Sequence, residues 1–157
     1  MTITNTSIQR SIVLTEYIPM QVRAEKEYNA VDYCSFRKDD NSLLELAFNQ
    51  ADHIIYRVTL VICADYRQVE EEYPLPTEYT KGDLLVDVPS ENATSIFSCI
   101  IYQNAVKIIV SDLPISKTIL SGDIVWELSE QGDLVSVCLV DPTGKASEHC
   151  SLELSSN

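Results

Sequence analysis

The chain has 157 residues, 45% of them hydrophobic, with 24 acidic against 11 basic side chains and a formal charge of −13. That length and apolar fraction support one domain with its own core and argue against a disordered chain. The negative excess repels phosphate backbones and anionic bilayers, which argues against nucleic-acid and membrane binding, and it favours encounter with a basic protein.

Residues 1–10 are rich in Thr, Ser and Asn and read as a flexible end or a short edge segment. A strand is expected over 11–17, interrupted by Pro19, with a second extended piece at 20–24 and a polar turn over 25–29. VDYCSFRK at 31–38 alternates as a strand, and Asp39, Asp40 and Asn41 turn the chain. Residues 42–52 are ambiguous. Ser42 with Glu45 resembles a helix capping box, whereas Leu44, Leu46 and Phe48 share one face of a strand. The surrounding strands favour strand, forming a hairpin across 49–53.

The organising stretch is IIYRVTLVICAD at 54–65. Its even positions are all apolar and its odd positions mixed, the pattern of a central strand with one fully buried face. Residues 66–81 form the most polar interior stretch, and Pro74 and Pro76 rule out a central strand there, leaving an extended surface segment. A strand at 84–88 is expected to break at 89–92. Strands at 93–102 and 105–110 form a hairpin across Gln103 and Asn104, and 111–121 is a loop or a short edge piece. Ile124, Trp126 and Leu128, then 134–140, form a meander with Trp126 in the core. Asp141, Pro142, Thr143 and Gly144 make a turn, and a short last strand is expected over 149–154.

Catalytic and metal motifs are sparse. Every glycine stands alone, so there is no phosphate loop, and the two histidines lie far apart with no C-x-x-C, so there is no zinc pattern. The five cysteines are odd in number. Cys63, Cys99 and Cys138 sit in apolar runs as buried, reduced thiols do. A Cys–His nucleophilic pair would need His53 or His149 as its base. Calcium would need Asp39, Asp40, Asp83 and Asp112 gathered at one end of the fold. The strongest surface signal is Glu70, Glu71, Glu72 and Glu78 interleaved with Tyr73 and Tyr79, a set suited to an Arg-rich partner.

The order of segments adds a family likeness. Tyr33, Cys34, Ser35, Phe36 and Arg37 come first, then 43–48, the long strand at 56–61, and Leu120, Ser121, Gly122, Asp123, Ile124, Val125 and Trp126. This order resembles the competence protein J family, inhibitors of a secreted nuclease of DNA uptake. The first segment is similar to that family's aromatic-x-x-aromatic-Arg, and the last to its Leu-Pro-Gly-aromatic strand start. Ser121 stands where the family has proline, and the family's Trp-Thr-Asp segment has no counterpart here. The resemblance spans 11–130 and implies a nuclease inhibitor or immunity protein without assigning inhibitory residues.

The expectation is an all-β chain, an antiparallel β-sandwich with little helix, as one domain over 11–154. It is expected to be cytoplasmic, without cofactor or metal, and to be a non-enzymatic acidic inhibitor of a basic nuclease or toxin. Contact is expected through Glu70, Glu71, Glu72, Tyr73, Glu78 and Tyr79. The alternative is a β-sandwich accessory or scaffold module that binds calcium or a peptide.

Overall fold

The alternation at 54–65 does form an interior strand, β6 (Ile55–Ile62), in a six-stranded sheet. The computed structural model describes residues 1–156 except 7, 27 and 29, so part of the turn expected over 25–29 lies outside the described residues. The sheet runs β10 (Ser90–Ala93), β4 (Val31–Lys38), β5 (Ser42–Asn49), β6, β3 (Met20–Ala24), β2 (Arg10–Ile12). Residues 42–49 are therefore strand, and β5 and β6 form the expected hairpin. The break expected over 89–92 instead holds most of β10, which pairs in parallel with the edge at β4, and the strand expected over 93–102 is confined to Ser98–Ile101.

One inward face does not persist along β6. Against β5, Tyr56 and Val61 are each an extra residue, because Phe48 and Ala47 face Ile55 and Arg57, and Leu44 and Leu43 face Leu60 and Ile62. Each bulge reverses which parity points inward. Ile55, then Val58 and Leu60, then Cys63 are buried, while Tyr56 and Ile62 are only half-buried. The expected all-even buried face is thus corrected.

A seven-stranded sheet runs β7 (Tyr66–Gln68), β11 (Ser98–Ile101), β12 (Ala105–Ile109), β15 (Leu134–Val140), β14 (Ile124–Leu128), β13 (Lys117–Ser121), β8 (Thr80–Lys81). A ribbon of β1 (Thr2–Thr4) and β9 (Asp83–Leu85) completes the strands. Most pairs are antiparallel, but β10–β4, β7–β11 and β8–β13 are parallel, each at a sheet edge. One core cluster draws on both large sheets. It joins Leu44, Leu46, Phe48 and Leu60 to Ile101, Ile108, Trp126 and Val137, so the chain is a single all-β domain.

Within 1–10, the described residues include one short strand and the start of another. Thr2–Thr4 pair with β9, and Arg10 enters the interior. Gly82, just before β9, has φ +153°, and a Cβ there would collide with the Thr4 carbonyl, so only glycine lets β1 approach this closely.

The strand expected over 149–154 is instead the end of a helix, α1 (Lys145–Ser155). Ala146, Cys150 and Leu154 recur every four residues and are buried in the common core, a spacing that only a helix brings to one face. Asp141 starts it. Its carboxylate accepts the Ala146 N–H at 2.8 Å and the Thr143 hydroxyl at 2.8 Å. Burial pushes the Asp141 carboxyl up, but these bonds outweigh it and hold the group below its ordinary value. Asp141→Ala is expected to lose about 1–2 kcal/mol. Because the folded pKa is the lower one, the stabilisation is complete above the unfolded value of ~3.9 and is lost as pH falls through the folded value. The wild-type melting temperature should therefore fall more steeply than that of Asp141→Asn below about pH 4.

Candidate functional site

β7 and β8 are opposite edges of the seven-stranded sheet, so residues 69–79 between them must cross that sheet. They cross its outer face as a strap. Val69 N–H bonds to Ile101 O at 2.9 Å, Gln103 N–H to Glu71 O at 3.1 Å, and Tyr73 N–H to the Asn104 side-chain oxygen at 2.8 Å. Tyr73 then plugs into a second apolar cluster with Ala105, Val125, Cys138 and Val140, and its ring meets Tyr102 edge-on with 5.4 Å between centroids. This cover buries Cys138 and Val140, on the face of β15 opposite the common core that takes Val137 and Leu139.

The expectation that Tyr73 is an exposed tyrosine is therefore corrected. Tyr73 is 8% exposed and holds the strap down, so it is not a free surface anchor. Glu70, Glu71, Glu72 and Glu78 are exposed, and Tyr79 is 44% exposed. The strap spreads them into two groups: Glu70 to Glu72 beside the β11–β12 turn, and Glu78 with Tyr79 at the β8 edge. Among the described residues none of these four carboxylates forms an ion pair. The nearby cation, Lys107, is 3.0 Å from Glu127 and lies over the Tyr73 ring, so it is committed beneath the strap.

The first acidic group borders a groove of about 620 Å³ between the start of the strap and α1. Gln68, Glu70 and Tyr102 form one side, and Glu148, Ser151 and Leu152 of α1 form the other. Ser151 donates its hydroxyl to the Gln68 side-chain oxygen at 3.0 Å, tying the two walls together. Sequence reasoning missed the α1 wall because it read this segment as a strand. The four-residue spacing of Ala146, Cys150 and Leu154 was the available signal.

A second cavity, of about 430 Å³, opens where β4 and β10 approach the β12–β15 end of the other sheet. Cys34 lies on its wall, its sulfur 3.3 Å from the Ser90 hydroxyl, and the Asn92 amide donates to Ser35 O at 2.9 Å. Burial pushes the Cys34 thiol up more than these neighbours lower it. Burial also pushes Cys63 and Cys138 up to about 12 and holds these thiols protonated.

The histidines do other work. His53 Nδ1 is 2.7 Å from Val86 O. His149 Nε2 donates to Thr15 O and Ile18 O at 3.0 and 2.9 Å, fastening α1 to the loop before β3. The aspartates considered for calcium are separated as well. Asp39 sits in the β4–β5 turn, Asp83 is buried against Arg10, and Asp112 lies on the rim of the second cavity. Among the described residues no three His, Cys, Asp or Glu side chains come together as a metal-binding group. No helix among the described residues is long and apolar enough to cross a membrane. Compared with known proteins, the chain matches no family model and no curated sequence.

Proposed function

We propose that this chain is a non-enzymatic, cytoplasmic inhibitor or immunity protein that neutralises a basic partner such as a nuclease or toxin. Its scaffold in this reading is an antiparallel β-sandwich of the two large sheets, with parallel strands added only at edges. The observation that carries the proposal is the strap: four carboxylates without ion-pair partners among the described residues, on a segment pinned to the sheet by Tyr73. A nuclease needs a cationic groove to hold phosphates, and carboxylates fixed in two groups along the strap can occupy that groove in their place. Because the strap is already held by backbone bonds at Val69, Glu71 and Tyr73, little ordering cost remains at binding. The likeness of 11–130 to the nuclease-inhibiting family supports the same partner class.

The test is to express the basic nuclease or toxin encoded beside this chain's own gene and to measure its activity with and without the purified protein. Near-stoichiometric inhibition is expected, with affinity falling at least about tenfold between low salt and twice physiological ionic strength, as exposed charge pairs require. Absence of a basic neighbour, or binding that ignores salt or requires calcium, would favour the accessory-module reading. The unpaired outer edges of β2, β7, β8 and β10 are the observation on that reading's side.

A further inference from the structure

We infer that the groove between α1 and the start of the strap is a seat for an extended basic segment of the partner, with an Arg or Lys side chain placed between Glu70 and Glu148 and an apolar neighbour on Leu152. This rests on the inhibitor reading and names where on the molecule the contact is centred. Glu70 and Glu148 stand on opposite walls, and among the described residues no Lys, Arg or His lines the groove, so its charge is of one sign. A carboxylate or phosphate ligand is repelled there and a guanidinium or ammonium attracted. Tyr102, on the same side as Gln68 and Glu70, adds an aromatic ring for a cation to cover.

The apolar half of the seat is Leu152. It is 60% exposed on a helix whose buried face is Ala146, Cys150 and Leu154, so it contributes nothing to the core and faces the groove. The bond from Ser151 to Gln68 sets the spacing of the walls before any partner arrives. The volume, about 620 Å³, is that of a site for one or two large side chains rather than a whole domain. An extended occupant follows from β7, whose outer edge is unpaired and whose Gln68 lies on the groove wall, so partner backbone can run beside it.

The probe is an amidated octapeptide of alternating Arg and Leu, titrated by fluorescence anisotropy against the full chain at low salt. Glu148→Lys combined with Leu152→Asp is expected to weaken binding by about tenfold or more, Glu148→Gln by about threefold, and Glu78→Lys, at the far end of the strap, by less than about twofold. Both α1 residues are exposed, and circular dichroism with a melting curve checks that each variant is folded; the Gln variant keeps the test valid should the double variant lose its helix. If the α1 variants leave affinity unchanged while Glu71→Lys and Glu78→Lys weaken it, the groove assignment is overturned and the acidic-strap reading stands. No binding by the wild-type protein at low salt overturns both.

Discussion

Asp83→Leu is expected to lose about 3–5 kcal/mol of folding stability, and the double variant Arg10→Met with Asp83→Leu to recover most of that loss. Both side chains are nearly fully buried, at 5% and 1% exposed. Arg10 reaches Asp83 at 2.8 Å and Ile55 O at 2.6 Å, while the second Asp83 oxygen accepts the Ile8 N–H at 2.8 Å. Removing the carboxylate alone strands a guanidinium away from water, which is the costly change. Removing both charges replaces a desolvated pair with apolar contact. The pair is not fully satisfied among the described residues, where Arg10 Nε is buried with no hydrogen-bond partner, so exchanging it for apolar groups forfeits less. About 1 kcal/mol should remain missing in the double variant, because Ile8 N–H loses its acceptor in both. Urea denaturation of the three proteins at constant slope reads the result. Equal losses in the single and double variants would show that the pair stabilises by its charge interaction and not by avoiding a lone buried charge. The pair also has a structural consequence: it fastens β2 and β9 to β6, and so joins the ribbon and a sheet edge to the sheet's interior.

Strand existence was legible wherever apolar residues were dense. The strands at 31–38, 105–109, 124–128 and 134–140 lie where β-branched and aromatic residues cluster between turn residues, and 42–49 is legible from Leu44, Leu46 and Phe48 on one face. Which face is inward was less legible. The bulges at Tyr56 and Val61 each shift parity by one residue, and nothing in IIYRVTLVICAD distinguishes a bulged strand from a straight one. β10 escaped because its residues are polar and follow Pro89; it is held by backbone pairing to β4 and by Asn92 rather than by an apolar face. The helix at 145–155 escaped because its only apolar stripe is three small or medium residues. Asp141, which starts it, reads equally well as the first residue of a turn. The acidic residues were visible as a run. Their division into two groups, and the groove beside one of them, depend on contacts between residues more than 30 positions apart, such as Tyr73 with Asn104 and Gln68 with Ser151.

Tyr73→Ala is expected to lose about 3–5 kcal/mol of the strap's stability, the range for removing a buried aromatic side chain, and to weaken partner binding although no carboxylate is altered. Tyr73 is the only strap side chain in the outer-face cluster, where it covers Cys138, Val125 and Val140. The flanking Pro74 and Pro76 supply no N–H that could replace this hold with further backbone bonds. Without the ring, the strap is left with its bonds at Val69, Glu71 and the Tyr73 backbone, and β15 exposes the face it had covered. Local opening should therefore precede global unfolding. Amide exchange should accelerate first at residue 73 and at Gln103, whose N–H groups bond across the strap, while the amides of β5 and β6 keep their wild-type protection relative to global stability. Tyr73→Phe keeps the ring and should stay within about 1.5 kcal/mol of wild type, with binding unchanged. The pair of variants separates two roles for the tyrosine. If Tyr73→Ala lost binding with no change in strap exchange, the residue would have to touch the partner directly, and its burial against the sheet would not persist in the complex. If exchange and binding change together, the carboxylates act through their fixed spacing, and the strap's rigidity is part of how it binds.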